Sequence, residues 1–188
     1  MGLLDTILGR TKPVKPDLDE LFALPSAAVT LQAAGGLIPT GVGSVCVKPA
    51  EGGAFAGLRE QINQLLAMNG GKYDETTDSF GFSWIVRRGD PNDLAGLVAD
   101  LHGVNATLTD AGFGPALLCT LVPFTDSQAP TVGLVYLYKR GTWYPFAPTG
   151  PDRRDNAREL QVQAYVGDEL KMEPDLSRWF PVWGAPGL

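Results

Sequence analysis

The hydrophobic positions of this chain alternate between helical and strand periodicity. The clearest helical stripe consists of Leu94, Leu97, Val98, Leu101 and, farther along, Leu108. Asp90 as a cap, Pro91 at the first helical position and Asp93 near the positive end of the helix dipole predict where this helix begins. Gly112 and Gly114 predict its end.

Three other segments are predicted to be helical. Residues 17–24 form a short helix before Pro25. Residues 55–69 carry one apolar stripe: Phe55, Leu58, Ile62, Leu65 and Leu66. Residues 155–170 form the last helix of the body, capped by Asp152 or Asp155.

The remaining apolar runs have the length and composition of strands. Residues 80–89 alternate, with Phe80, Phe82, Trp84 and Val86 on one face. Residues 115–124 and 131–140 are continuously apolar, which favours central strands. The other predicted strands are residues 27–33, 43–49 and 142–148, the last an edge strand after a tight turn at Arg140–Trp143. Residues 70–79 are predicted to be a turn region.

Short connections between neighbouring strands favour antiparallel hairpins over a parallel βαβ arrangement. The predicted fold class is therefore α+β, with helices packed on a mainly antiparallel sheet. From residue 54 the order is helix, two strands, helix, three strands, helix, which resembles the two-layer fold of type III secretion chaperones. We expect an N-terminal tip and linker at residues 1–16 and a single domain at 17–188.

Composition and charge limit the function classes. The chain has 188 residues, a net charge of −6 and a pI near 4.7. An acidic protein is poorly suited to neutralising phosphates, so no nucleic-acid partner is expected. No run approaches the roughly 20 apolar residues that span a bilayer, and a cytoplasmic location is predicted.

The sequence offers little catalytic chemistry. His102 is the single histidine, and Cys46 and Cys119 are far apart with no CxxC spacing. Cys119 lies in an apolar run, which favours a buried thiol. One histidine and two isolated cysteines cannot supply a typical zinc ligand set. We predict no catalytic residue, no metal and no cofactor, while a magnesium site built from carboxylates stays open.

The first 16 residues combine an apolar stripe with basic side chains. Leu3, Leu4, Ile7 and Leu8 share one face of a predicted two-turn helix, with three basic residues behind them: Arg10, Lys12 and Lys15. Two interpretations stay open. The stripe contacts an anionic membrane surface, or it binds in a groove of the body or of a partner.

Two other segments are candidate contact sites. Arg153, Arg154 and Arg158 at the start of the last predicted helix could bind an anion or an acidic partner, or form local ion pairs. The tail, residues 173–188, carries Trp179, Phe180 and Trp183. Its predicted helical turn places Leu176, Trp179 and Phe180 on one side. It is interpreted as an aromatic clasp on the body or as a docking segment for a partner.

Four stretches carry a family resemblance that covers almost the whole chain. They are GLLDTILGRTKPVKP, LFALPSAAVTL, RRDNARELQV and PDLSRWFPVWGAPGL. Together they resemble the PspAB family, the PspA-associated proteins of actinobacteria and some archaea. The resemblance implies association with PspA, the coiled-coil membrane-repair protein of the phage-shock envelope-stress response.

The expected function is thus a non-enzymatic accessory or regulatory role in envelope stress, peripheral to the inner face of the membrane. The resemblance carries no catalytic residues. Two alternatives come from other classes. One is a peptide- or protein-binding module of secretion-chaperone type, acting as a homodimer and supported by the apolar strands. The other is a small enzyme that uses carboxylates and arginines, which would need these groups to converge in one pocket.

Overall fold

The computed structural model of the protein describes residues 17–48, 60, 62, 64, 73–126 and 131–188. The α-helices with described bounds are α1 (Leu24–Gly35), α2 (Leu94–Asp110) and α3 (Asn156–Val166). Residues 60, 62 and 64 are also helical, in agreement with the stripe through 55–69. The rest of that segment lies outside the described residues, and so does the N-terminal tip, 1–16.

The strands form one large antiparallel sheet. They are β1 (Ile38–Pro39), β2 (Val42–Val47), β3 (Tyr73–Thr77), β4 (Ser83–Arg88), β5 (Leu117–Thr125), β6 (Val132–Leu137) and β7 (Thr142–Phe146). Their order is β3-β4-β2-β5-β6-β7, with β1 also paired to β5. A separate short pair joins β8 (Pro148–Gly150) to β9 (Arg153–Arg154). The predicted α+β class with a mainly antiparallel sheet is confirmed.

The helices pack on one face of the sheet and enclose the larger part of the core. All five residues of the predicted α2 stripe are buried there: Leu94, Leu97, Val98, Leu101 and Leu108. Ile62 and the α3 residues Val162 and Val166 join the same cluster. Of the two predicted caps, Asp155 is the one that caps α3, and its carboxylate accepts a hydrogen bond from the backbone N–H of Arg158.

The predicted start of α2 at Asp90 is wrong by about one turn. The helix begins at Leu94, and Asp93 is its N-cap, with a carboxylate that accepts from the backbone N–H of Gly96 at 2.9 Å. Asp90 instead accepts from the backbone N–H of Asn92 at 2.8 Å. Both Asp90 and Asp93 are suitable caps, and Asp93, which lies directly before the apolar stripe, caps the helix.

The strand predicted at residues 27–33 is wrong, because this segment belongs to α1. Leu24, Ala27, Ala28 and Leu31 are the buried positions of α1, and they follow helical spacing. Pro25 lies in the first turn, where a missing N–H costs nothing. Gly36, with φ of 66°, closes the helix. The two β-branched residues between these positions suggested a strand, but the helical spacing prevails.

The turn predicted at residues 70–79 is also wrong in part, because Tyr73–Thr77 forms the edge strand β3. Asp74 and Glu75 are unusual strand residues, which is why composition predicted a turn. At an exposed sheet edge, charged residues are favoured because they discourage pairing with another chain. The turn itself follows at Ser79–Phe80, where the Asp78 carboxylate accepts from the backbone N–H of Phe80.

The opposite edge strand, β7, is buried although it lies at the end of the sheet. Its five residues are all buried. Its outer side is paired by the backbone of residues 171–173: Trp143 N–H donates to Lys171 at 2.8 Å, and Glu173 N–H donates to the Trp143 carbonyl at 2.7 Å. The chain therefore protects its most apolar edge with the segment that leads into the tail.

Candidate functional site

The face of the sheet opposite the helices carries two apolar rows. Side chains alternate along strands, so residues two apart point to the same face. One row runs directly across four strands: Trp84, Cys46, Cys119 and Leu137. The next row contains Val86, Leu121, Val135 and Tyr144. Of the four residues predicted to share one face, Phe82, Trp84 and Val86 pack on this side of the sheet, whereas Phe80 lies in the turn before β4. Ile85 faces the helices, as predicted.

The tail lies over one half of this face. Trp179 stacks on Tyr144 with ring centroids 6.2 Å apart, and Trp183 meets Phe146 edge-on at 4.8 Å. Farther along, Gly187 and Leu188 lie against Pro123 of β5 and Gly133 of β6. The tail thus crosses from β7 to β5 and shields the second apolar row.

Hydrogen bonds hold the first part of the tail in place. The Trp179 indole donates to the Glu173 carbonyl at 3.0 Å, and the Tyr144 hydroxyl donates to the Phe180 carbonyl at 2.7 Å. The Arg154 guanidinium donates to the Trp179 carbonyl, also at 2.7 Å. These bonds fix the backbone of the tail at the point where it enters the sheet face.

The three predicted tail residues have different environments. Trp179 is buried, Trp183 is partly buried, and Phe180 is 58% exposed. The predicted helical turn exists at Leu176–Arg178, but its apolar residues do not share one side, because Leu176 is 56% exposed. The backbone of Trp179 is no longer helical, with ψ of 71°, so the spacing rule for a helix fails there.

The half of the face that the tail leaves uncovered forms an apolar groove of about 540 Å³. Its floor is the row from Trp84 to Leu137, and the tail residues 180–183 form one wall. Phe80, 63% exposed, and Phe180 contribute to its lining. An exposed apolar surface with a concave shape is typical of a binding site for an apolar segment.

Among the described residues that line the groove, Asp78 is the one charged group. Its carboxylate accepts from three neutral donors: the backbone N–H groups of Phe80 and Phe82, and the Trp84 indole at 2.9 Å. On the adjacent β3, Asp74 lies opposite Val86 on this face but pairs with Arg88 at 3.3 Å, whereas Glu75 lies opposite Ile85 on the helix face. The groove therefore combines an apolar floor with one carboxylate, Asp78, in its lining.

Two thiols lie side by side in the floor of the groove. The β2–β5 pairing places Cys46 directly opposite Cys119, and both are buried and free, as predicted for Cys119. The hydrogen bond with Cys119, followed by burial, raises the pKa of the Cys46 thiol well above its ordinary value. A protonated thiol is a weak nucleophile. Sequence spacing could not reveal this pair, because only the strand register brings it together.

The three predicted arginines do not converge on one point. Arg154 pairs with the buried Glu159 at 2.9 Å, whereas Arg158 pairs with Asp126 at 2.8 Å. Arg153 is exposed on β9. Two of the three guanidinium groups thus already have carboxylate partners from the protein itself.

The remaining candidates lie elsewhere. His102 lies in the helix layer, 3.5 Å from the Asp19 carboxylate and with its ring centroid 4.9 Å from that of Phe22. Cys46 and Cys119 belong to the other face of the sheet. Across the part of the chain that the structure describes, no three His, Cys, Asp or Glu residues are grouped to hold a metal. In the same residues no helix is long and apolar enough to cross a membrane.

The predicted contact residues of the tip, Leu3, Leu4, Ile7 and Leu8, lie outside the described residues. The described chain starts at Asp17, whose carbonyl accepts a hydrogen bond from the Tyr136 hydroxyl. Burial is the main cause that raises the pKa of Tyr136 above its ordinary value. The hydroxyl therefore stays a donor at neutral pH and holds Asp17 at the β6–β7 end of the sheet.

Comparison with known proteins identifies one family whose model matches almost the whole chain. The family described as PspA associated protein B, PspAB, matches residues 1–187. No curated protein and no solved structure shows significant similarity, so the likeness to type III secretion chaperones stays an analogy. The match extends from the apolar tip through the sheet to the aromatic tail. The chain belongs to the PspAB family of PspA-associated proteins.

Proposed function

We propose that this protein is a non-enzymatic accessory of the envelope-stress response that associates with PspA. The observation that carries the proposal is the family match over residues 1–187. Its cellular place, on this proposal, is the cytoplasm with a peripheral position at the inner face of the membrane. The family name supports PspA as the partner, and the apolar groove is the surface that we propose for the contact.

The apolar groove supports binding of a protein segment. Coiled-coil proteins such as PspA present amphipathic helices with an apolar stripe, and such a stripe fits a hydrophobic groove. The exposed Phe80 and Phe180 rings would contribute to the contact, since aromatic side chains often dominate binding energy. The Asp78 carboxylate in the groove lining would favour a partner helix with basic flanks.

Three observations support a role without catalysis. The pKa of the Cys46 thiol in the groove is raised. His102 lies in the helix layer. Arg154 and Arg158 each pair with a carboxylate of the protein. Nucleophilic catalysis requires a nucleophile within hydrogen-bond reach of a base. Among the described residues, the groove thiols lie on the opposite face of the sheet from His102.

The groove also supports a second candidate function, a peptide-binding module of secretion-chaperone type. This protein would then bind apolar segments of several proteins and would use its exposed apolar surface for dimerisation as well. The two candidates differ in selectivity. An accessory of PspA retains PspA above other proteins, whereas a chaperone retains unrelated apolar segments equally well.

A pull-down from envelope-stressed cells tests the proposal, with immunodetection of PspA. We expect wild-type protein to retain PspA. A Phe80→Asp, Phe180→Asp variant should lose it, because both rings are exposed and their replacement leaves the core intact. Val29→Asp is the matched control, since Val29 is 69% exposed on α1, away from the groove.

The outcomes separate the candidates. Failure of both the wild type and a variant lacking residues 1–16 to retain PspA rejects the association. Retention by the double aspartate variant rejects the groove as the contact surface. Equal retention of PspA and of unrelated apolar peptides favours the chaperone-type module.

A further inference from the structure

The groove is an apolar surface that the described chain leaves half covered. The tail shields the row from Val86 to Tyr144, but the row from Trp84 to Leu137 faces an open cavity. Phe80 and Phe180 border this cavity and are more than half exposed. Rings of this size at a concave surface favour an occupant that removes them from water.

The N-terminal segment leaves the described structure close to this cavity. Asp17 is held by Tyr136 and lies against Gly141, in the turn between β6 and β7. Leu137, the last residue of β6, lines the groove and directly precedes that turn. The chain therefore enters the described body at the end of the sheet where the groove opens.

The linker is long enough to reach the groove. Residues 9–16 number eight, and an extended chain spans about 3.3 Å per residue, or about 26 Å in total. Layers pack roughly 10 Å from a sheet, so a path of about 20 Å leads from a layer on one face to a layer on the other. Residues 3–8 can therefore reach the groove of the same chain.

The chemistry of the two surfaces is complementary. The tip presents a stripe of four aliphatic side chains, followed by Arg10, Lys12 and Lys15. The groove presents an apolar floor with the Asp78 carboxylate in its lining. Opposite charges at the border of an apolar contact favour the correct pairing.

We propose that residues 3–8 bind in the apolar groove of the same chain, with Leu3, Leu4, Ile7 and Leu8 against the row from Trp84 to Leu137. The basic residues of the linker then pass the Asp78 carboxylate. This contact does not require PspA, and it is tested without PspA.

Proton–nitrogen NMR of the full-length protein tests the contact at the Trp84 indole, which donates to Asp78 inside the groove. The test variant is Leu4→Asp, Leu8→Asp. The matched control is Thr6→Asp, Thr11→Asp, which adds the same charge to the same segment and leaves the apolar stripe intact. Both variants change residues outside the described body, so the sheet and its helices should fold normally.

We expect the Leu4→Asp, Leu8→Asp variant to shift the Trp84 indole signal and to raise the alkylation rate of Cys119 by N-ethylmaleimide several-fold. The control should match the wild type in both measurements. Coincident spectra and equal alkylation rates for all three proteins would overturn the proposal.

Two other occupants give distinct results. A wild-type indole signal that changes with protein concentration shows binding to a second copy and overturns the same-chain contact. The wild-type indole signal could instead match that of the Leu4→Asp, Leu8→Asp variant, while wild type alone floats with phosphatidylglycerol vesicles. This result would assign the stripe to a membrane surface and would also overturn the same-chain contact.

Discussion

The Cys46 thiol lies directly across the β2–β5 pair from the Cys119 thiol, and the two side chains share a hydrogen bond. This hydrogen bond is the largest cause of the raised pKa of Cys46, ahead of burial. We predict that Cys119→Ala brings the pKa of Cys46 back toward its ordinary value. Thiolate absorbance at 240 nm, followed against pH, measures this change.

The control for this prediction is the wild-type protein in denaturant, where both thiols are exposed and should titrate at ordinary values. In native wild type, thiolate absorbance from Cys46 should still be absent at pH 9.0, the ordinary value for this thiol. A native titration that coincides with the denatured one would contradict the geometry of the pair.

A second prediction concerns Trp179, which joins the tail to the sheet. Its ring is buried on Tyr144, and its indole donates to the Glu173 carbonyl. Trp179→Ala should lower the free energy of unfolding by about 3–5 kcal/mol, because it removes a large buried ring and leaves a cavity. Urea denaturation measures the effect.

Phe180→Ala provides the matched control, because the next residue along the chain is mostly exposed. It should change the free energy of unfolding by less than about 0.5 kcal/mol. Equal losses for the two variants would mean that burial of the Trp179 ring does not account for the effect.

The sequence predicted the elements whose apolar spacing is unambiguous and failed where local signals conflict. The α2 stripe and the alternation in β4 each fit one structure, and the continuous apolar runs of β5 and β6 have the length of buried strands. In residues 27–33, β-branched Val29 and Thr30 suggested a strand, although the buried positions of α1 follow a helix. In β3 the composition indicated a turn, while the position at a sheet edge favours its charges.

The candidate site was harder to predict, because it is assembled by strand register and by the path of the tail. The tail and its tryptophans were visible in the sequence as contact residues. Nothing in the spacing of Cys46, Trp84 and Cys119 indicates that they form one row, since the strands that carry them are far apart along the chain. The sequence also does not show which half of the sheet face the tail leaves uncovered.

A third prediction concerns the buried ion pair of Arg154 with Glu159. The Glu159 carboxylate is 1% exposed and also accepts from the backbone N–H of Ala147. Arg154→Met should cost about 3–5 kcal/mol, because it leaves a buried carboxylate without its positive partner. Urea denaturation at pH 7 measures the loss. Arg153→Met, at the exposed neighbouring position, should have little effect.

The double variant Arg154→Met, Glu159→Gln separates the charge from the packing. If the unpaired charge causes the loss, the added Glu159→Gln change should restore part of the stability. A double variant that is less stable than Arg154→Met alone would show that the hydrogen bond that Glu159 accepts from the backbone N–H of Ala147 outweighs the cost of its unpaired charge.

A fourth prediction concerns Glu173, a buried carboxylate next to β7. Burial by itself would raise its pKa, but hydrogen bonds from Thr142, Arg140 and the Asp175 backbone outweigh burial and lower the pKa below 4.5. The folded state therefore binds this proton less tightly than the unfolded chain. The resulting stabilisation is complete above pH 4.5 and is lost as the pH falls through the lowered pKa.

Glu173→Gln should therefore destabilise the protein most near neutral pH, and the difference from wild type should shrink as the pH falls below 4.5. Urea denaturation at a series of pH values between neutral and acid measures this difference. A difference that stays constant over that range would mean that the lost packing and hydrogen bonds, rather than the charge, account for the effect.

The last prediction joins the two proposals about the groove. If residues 3–8 occupy the groove in the free protein and PspA binds the same surface, the two must compete. The fraction of protein with an open groove then limits the apparent affinity for PspA. We predict that Leu4→Asp, Leu8→Asp binds purified PspA several-fold more tightly than wild type, measured by calorimetry. Thr6→Asp, Thr11→Asp should bind like wild type. Weaker binding by the Leu4→Asp, Leu8→Asp variant would instead mean that the tip itself contacts PspA.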